Sequence, residues 1–430
     1  MRTAPAIIND REAAPALRLE ALERHGADIR GELPPLTGEV NNHIHTIYSF
    51  SPYTPSMAAL RAREAGLEAA GSVDHDSYAA AGEMRRACAI LQIGCVTGFE
   101  LRTSFRHTEF GDRKINSPDS AGIAYMTVQG IPAPAAPAVK EFLAPLNAAR
   151  DRRNRRMVEK LNGILAAAGL APLSYDGDIL PLSQRREGGS VTERHILYAL
   201  SLKLIREAGR GEGLLSFLEQ KFGLAASGNV RALLADGENP CYPYDLLGLL
   251  KSSFNDRIFI QPDETECPRA ETVTAFARSV NAIPSYAYLG DVGDSPTGDK
   301  RAEKFEDEYL DALIPRLAAM GFQGITYMPP RNTGAQLERL RRLCGAAGFI
   351  EISGVDINSP RQQFNCPEIR RPEFALLADT TWALAAHEKL AAREPGRGLF
   401  NPADPLADRP LGERISWYAG IGRKGITEKP

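Results

Sequence analysis

The chain lacks the features that mark secreted, membrane-spanning or nucleic-acid-binding proteins. Its six cysteines are scattered without a CxxC pair, which argues against a zinc ribbon and a disulfide framework. It has no apolar run of about 18 residues and no apolar N-terminal stretch, so we expect neither a membrane span nor a signal peptide. A net charge of −3 provides no basic surface for nucleic acid or anionic membrane. We therefore expect a protein of the reducing cytoplasm, and the sequence leaves its oligomeric state open.

What the chain does contain is an alternation of strand and helix patterns, which is typical of a parallel sheet covered by helices. The strand-like runs lie at 40–45, 69–74, 95–101, 258–260, 283–288, 325–328 and 349–355. These runs predict an α/β protein built as a distorted (β/α)7 barrel.

The alternation stops after the third strand-like run, where helical patterns predominate. The predicted organisation is therefore a helical N-terminal arm at 1–38, the barrel at 39–102 and 256–366, a mostly helical insertion at 103–255, and a C-terminal helix with an irregular tail at 367–430. The basic run at 150–156 is predicted to be a solvated helix face.

Two histidines stand at the end of the first strand-like run. His43 and His45 are two residues apart, so on a strand they point to the same side, about 6–7 Å from each other. Both imidazoles could then reach one metal ion. The pair alone is equally typical of surface or core histidines that bind no metal.

Other metal-ligating residue types stand at the ends of three further strands. The second strand ends in Asp74, His75 and Asp76, the third in Glu100 and the seventh in Asp356. In parallel α/β barrels the carboxyl ends of the strands form the working face, so these side chains are predicted to converge. Asp74 and Asp76 could instead be helix N-caps, whereas no helix directly follows Glu100.

These segments resemble the PHP (polymerase and histidinol phosphatase) family of metal-dependent phosphoesterases. His43-Ile44-His45-Thr46 looks like the family's first motif, and Ser72-Val73-Asp74-His75-Asp76 looks like the second. Gly98-Phe99-Glu100 is similar to the strand that carries the bridging glutamate, and Ser353–Asn358 is similar to the last motif. The resemblance covers 40–101 and 257–359, and it implies the family's barrel.

The chain departs from the family pattern where further ligands are usual. The departures are at Ser49-Phe50-Ser51, Ile123-Ala124-Tyr125-Met126, Ala287-Tyr288-Leu289 and Asp356-Ile357-Asn358. The resemblance therefore implies one well-formed divalent-metal site, with a ligand set of His43, His45, Glu100, Asp356 and Asn358. Imidazoles with carboxylates suit zinc, manganese or iron. His107 could replace a lost ligand, although a solvated loop histidine is the simpler reading.

The resemblance implies a hydrolase that uses a metal-activated water on a small phosphorylated or otherwise anionic metabolite. In this reading His75, Asp74 and Asp76 orient or deprotonate the water. The candidate substrate-binding residues are Arg331, Arg102, Tyr288, Arg194 and His195, and both Arg102 and Arg331 could equally be surface arginines. Two alternatives stay open: a hydrolase of the same fold that cleaves a non-phosphate bond, and a catalytically reduced metal-binding or structural protein.

Overall fold

The structure is a computed structural model, and it describes residues 3–292 and 304–427. Parts of the predicted segments, at 1–2, 293–303 and 428–430, lie outside these residues. The strands are β1 (Val40–Ile44), β2 (Ala69–His75), β3 (Gly94–Ser104), β4 (Ile123–Gln129), β5 (Ile283–Ala287), β6 (Gly324–Tyr327) and β7 (Ile350–Ser353). The helices are α1 (Ala4–Ile8), α2 (Pro15–Asp28), α3 (Pro55–Glu64), α4 (Ala81–Ile90), α5 (Ala136–Ala167), α6 (Glu193–Ala208), α7 (Glu212–Phe222), α8 (Gly228–Ala235), α9 (Tyr242–Ile258), α10 (Ala270–Ser279), α11 (Leu310–Ala319), α12 (Gly334–Ala347), α13 (Ala375–Arg393) and α14 (Leu411–Thr427).

The strands form one sheet in chain order, β1 to β7. Neighbouring strands are parallel except around β4, which runs antiparallel to β3 and to β5. The backbone N–H of Ile357 donates to His43 and that of His45 donates to Ile357, so the chain just after β7 pairs with β1. The sheet is thereby nearly closed, which confirms the predicted distorted (β/α)7 barrel.

The fourth strand is not the one that the sequence predicted. Ile258 is the last residue of helix α9, so the strand expected at 258–260 is wrong. The fourth position is taken by β4, in which Tyr125, Thr127 and Gln129 lie on the same face as Glu100. The helical insertion therefore interrupts the barrel after β4 rather than after the third strand.

Helices α5 to α9 of the insertion enclose a hydrophobic cluster separate from that of the barrel. Phe50, from the loop after β1, packs into this cluster, so the loop is in contact with the insertion. The predicted solvated face at 150–156 is wrong at three positions, because Arg150, Arg153 and Asn154 of α5 are buried.

A network of buried ion pairs joins the insertion to the barrel. Arg150 pairs with Asp76 at 2.8 Å, Arg153 pairs with Glu266 at 2.6 Å, and Arg102 pairs with Glu193 at 3.0 Å. Glu266 also pairs with Arg102 and Arg150, so it is the one acidic residue here that contacts all three arginines. Three guanidinium and three carboxylate groups balance in charge, which lets them be buried together.

Helices outside the barrel secure both ends of the chain. Arg18 of α2 forms a buried ion pair with Glu83 of α4 at 2.6 Å, which fixes the N-terminal arm to the barrel. The C-terminal tail, predicted to be irregular after one helix, instead ends in a second helix, α14, that packs on α13. Its Tyr418 hydroxyl bonds to Asp404 and accepts from the backbone of Gly398, so the Pro/Gly-rich segment is tied down. Among the described residues, no helix is long and apolar enough to cross a bilayer.

Candidate metal centre

A β-bulge in β1 sets the direction of the two histidines. Asn41 stands opposite Ala70 and Ile44 stands opposite Ser72, so three steps along β1 match two along β2. Because side chains alternate along a strand, one extra residue moves all following side chains to the other face. The bulge thus turns His43 and His45 toward Glu100 rather than toward the helices.

Three histidines from the ends of two strands meet around one carboxylate. Nε2 of His43 and Nε2 of His45 each lie 3.6 Å from Oε2 of Glu100, and Nδ1 of His75 lies 3.1 Å from the same oxygen. The ligand atoms of His43, His45 and Glu100 all lie within 4.8 Å of one another, close enough to hold one metal ion. The sequence prediction that these side chains converge is met by this geometry.

The hydrogen bonds around Ser49 favour the tautomer of neutral His45 that carries its proton on Nδ1. The Ser49 hydroxyl donates its only proton to Asp74 at 2.7 Å, so its oxygen accepts from Nδ1–H of His45, 3.3 Å away. With the ring proton on Nδ1, Nε2 carries a lone pair, and this buried atom has no hydrogen-bond partner. An orphaned imidazole nitrogen beside two carboxylates is the donor arrangement that a divalent metal requires.

We expect Ser49→Ala to lower metal affinity by about 10- to 100-fold, because the hydrogen bond that orients the His45 ring is lost. Asp74 keeps its two bonds from Thr46, at 2.6 Å each, so the loop should stay folded. The measurement is metal affinity by competition with a chelator. Ser49→Thr, which retains the hydroxyl, is the control and should bind metal nearly as wild type does.

Gly354 allows β1 and the end of β7 to approach each other at the metal centre. A Cβ at this position would meet Cβ of His43 at 2.4 Å and its backbone nitrogen at 3.1 Å. The two atoms belong to the rigid part of His43, so a larger residue must displace that ligand.

Gly354→Ala should therefore weaken metal binding by at least about tenfold and destabilise the fold by about 1–3 kcal/mol through overpacking. Chelator competition and denaturant unfolding measure the two effects. The control is Gly345→Ala on helix α12, where a Cβ meets nothing within 4 Å. Equal behaviour of the two variants would contradict the claim that Gly354 positions His43.

His75 lies against the same cluster. Its ring stacks on that of His45 with centroids 4.6 Å apart, and the ring of Tyr125 is 5.7 Å away. Burial, together with the neighbouring His45 and Arg150, lowers the pKa of His75 well below its ordinary value. The imidazole is therefore neutral near pH 7.

Asp356, just after β7, contacts this cluster through His45. Its Oδ1 lies 3.4 Å from Nε2 of His45 and accepts a 2.7 Å hydrogen bond from the side-chain amide of Asn358. The structure thus places Asn358 beside Asp356, where its amide orients the carboxylate. Direct metal ligation by Asn358 stays a prediction.

The two aspartates next to His75 are engaged elsewhere. Asp74 accepts hydrogen bonds from Thr46 and Ser49, and Asp76 pairs with Arg150. Neither caps a helix, because α4 begins after Ala80 without a side-chain cap. Burial raises the pKa of both carboxyl groups against the pull of their partners. A direct catalytic role for Asp74 or Asp76 stays a prediction, and their contacts suit them to positioning neighbours.

The predicted substrate-binding residues fall into three places. Arg102 is buried in the ion-pair network, which excludes the reading as a surface arginine. At the end of β5, the Tyr288 hydroxyl donates to Asp307 at 2.6 Å, and Nε of Arg331 donates to the Leu289 carbonyl at 3.0 Å. Arg194 lies over the ring of Phe50 at 5.4 Å, beside His195. Their role in substrate binding remains a prediction.

The histidine named as a possible replacement ligand lies outside the cluster. His107 places Nε2 2.9 Å from Glu271. His195 caps its own helix, since its Nδ1 accepts from the backbone N–H of Thr192 at 3.0 Å.

Sequence reasoning missed Ser49, Gly354 and Glu266. Ser49 and Gly354 stand within or beside the motifs. The role of Ser49 depends on how the loop after β1 folds, and that of Gly354 on how the end of β7 approaches β1, and no local sequence pattern predicts either. Glu266 lies far along the chain from Arg102 and Arg153, and its isolated position in the sequence carries no signal.

Comparison with known proteins adds two similar structures. No family model matches the chain, and no curated protein matches it. A protein of Bifidobacterium adolescentis, provisionally described as a metal-dependent phosphoesterase, is 21% identical with a TM-score of 0.48, covering 78% of this chain and 96% of its own. An amidohydrolase of Chromobacterium violaceum, with sulfate bound and no metal, is 17% identical with a TM-score of 0.48, covering 76% and 90%. At this level of similarity, the function has to be argued from the site itself.

Proposed function

We propose that the chain is a metal-dependent hydrolase of the PHP type, most specifically a phosphoesterase that acts on a small phosphorylated metabolite. The observation that carries the proposal is the buried, unpartnered Nε2 of His45, which lies within 3.6 Å of Glu100 and 3.4 Å of Asp356. His43, His45, Glu100 and Asp356 would hold one ion of zinc, manganese or iron.

When bound, such an ion lowers the pKa of a coordinated water toward about 7 and polarises a phosphoryl oxygen. The chain's own groups then have distinct tasks. Asp74 accepts the hydroxyl proton of Ser49, and the Ser49 oxygen accepts a hydrogen bond from Nδ1–H of His45. These two bonds keep the His45 ring in one tautomer. Asn358 fixes the Asp356 carboxylate in the same way.

His75 is the proposed proton acceptor. Its Nδ1 lies beside Glu100, which leaves Nε2 as the nitrogen that takes the proton. The neutral state that burial imposes on the ring is the state that a general base needs at the start of the reaction. Its side chain is 25% exposed, so a substrate can reach it.

The motif resemblance supports phosphate as the group attacked, and the test is hydrolysis across a substrate panel. We expect phosphate release from small phosphomonoesters that stops on chelation and returns when zinc or manganese is added. Cleavage of a carboxylic ester or an amide, with phosphate release at background, would keep the hydrolase and overturn the phosphoesterase. Protein that binds no metal and hydrolyses nothing would leave the binding or structural role.

A further inference from the structure

A small cavity of about 100 Å³ lies behind the metal centre, where three parts of the chain meet. The N-terminal arm contributes Arg11, and the loop after β1 contributes Ser49 and Phe50. The helical insertion contributes His195, Tyr198 and Tyr244. A liquid water occupies roughly 30 Å³, so the cavity has room for about three waters or for a ligand of a few heavy atoms.

Flat aromatic faces form much of the cavity wall. The Phe50 ring stands 5.0 Å from the ring of His195 and 5.6 Å from that of Tyr198. The rings of Tyr198 and Tyr244 are 5.0 Å apart. These packed rings make the wall rigid, so the cavity is preformed.

Several polar groups around the cavity can donate hydrogen bonds. Arg11 donates from Nη2 to the Leu182 carbonyl, while its Nε is buried and has no hydrogen-bond partner. His195 accepts on Nδ1, so its proton is on Nε2, and burial lowers its pKa to about 3 and keeps the ring neutral. Burial also raises the pKa of the Tyr198 and Tyr244 hydroxyls, which keeps them protonated.

The charged side chain in the lining of the cavity is a basic one. Arg11 lines it, and the Arg194 guanidinium lies over the Phe50 ring. Among the described residues that line the cavity, none is an aspartate or a glutamate. A buried guanidinium nitrogen that lacks an acceptor is costly, and an anionic ligand would supply that acceptor.

We propose that this cavity is a binding site for a small oxyanion, of the size of acetate or of inorganic phosphate, held by Arg11 against the aromatic wall. The site does not depend on the proposed function. It adjoins the metal centre through Ser49, which lines the cavity and whose hydroxyl lies 3.3 Å from Nδ1 of His45. An anion bound here would therefore contact Ser49, which in turn contacts His45.

The test is calorimetric titration of the full chain with acetate and, separately, with inorganic phosphate. We expect Arg11→Gln to weaken the binding of at least one anion by tenfold or more, since a charge-assisted bond is lost. Arg24→Gln is the matched control, because Arg24 lies on the same arm but is 72% exposed. Whichever of acetate and phosphate binds more tightly identifies the ligand as a carboxylate or a phosphate.

Two further variants separate this cavity from the metal centre and from misfolding. His45→Ala should retain the Arg11-dependent binding, whereas an anion held only by the metal would disappear with His45. If Arg11→Gln does not fold, Tyr244→Phe removes one hydroxyl donor and should weaken binding at least threefold. The proposal is overturned if neither anion binds the wild-type protein, or if binding is the same in every folded cavity variant.

Discussion

Replacing His45 with alanine is expected to reduce bound metal to trace amounts and to lower kcat/KM by about a thousandfold, or about 4 kcal/mol of transition-state stabilisation. His45 is the residue whose Nε2 lies near both Glu100 and Asp356, so its loss leaves the two carboxylates without the nitrogen that would join them in the proposed ligand set. Metal content by elemental analysis and phosphate-release kinetics measure the two effects.

The matched control is His107→Ala. This histidine pairs with Glu271 on the outside of the cluster, so its removal should leave metal content and kinetics unchanged. The same loss in both variants would mean that the effect comes from general destabilisation. Wild-type metal content in His45→Ala would contradict the assigned ligand set.

Glu266→Gln is expected to destabilise the protein by about 3–5 kcal/mol, the usual cost of removing one partner from a buried ion pair. The substitution keeps the shape of the side chain but leaves three buried arginines facing only Asp76 and Glu193. Because the network joins α5 to the barrel, unfolding should show the insertion loosening first. Denaturant unfolding at pH 7, followed by circular dichroism, measures the loss.

The pH dependence gives the same prediction a second readout. Burial opposes ionisation of Glu266, but Arg102 and the neighbouring arginines outweigh it and hold the pKa below its ordinary value of 4.5. A depressed carboxyl pKa stabilises the fold above pH 4.5, and this stabilisation is lost as the pH falls through the folded-state value. Glu266→Gln should lack this part of the acid-induced loss of stability.

Asp176→Asn is the control for Glu266→Gln. Asp176 pairs with Arg155 at 2.7 Å, but both side chains are exposed, so the change should leave the stability close to that of the wild type. If Glu266→Gln is equally mild, the network does not hold the insertion in place.

The parallel part of the barrel could be predicted from sequence because each strand there carries its own signal. Val40–Ile44 is buried along its whole length, and Ala69–His75 is buried up to its last residue. β4 follows β3 after a long irregular loop and runs antiparallel to it. No helix separates the two strands, so β4 departs from the alternation of strand and helix on which the prediction relied. Its alternation of Tyr125, Thr127 and Gln129 with apolar residues was the available signal.

The candidate site likewise has residues that could be predicted from sequence and residues that could not. His43, His45 and Glu100 could be predicted because the ends of barrel strands converge, whatever the details of packing. Burial of Arg150 and Arg153 could not, since these residues alternate with exposed arginines on a helix that reads as solvated. Their burial follows from how the insertion docks, which depends on acidic partners more than 100 residues away, such as Glu266.

The most direct test of the central claim is the metal content of the full chain purified without added metal. One tightly held divalent ion per chain, lost in His45→Ala and in Asp356→Ala, is the result that a His43, His45, Glu100 and Asp356 site predicts. Two or three ions per chain, or an ion retained in both variants, would contradict it.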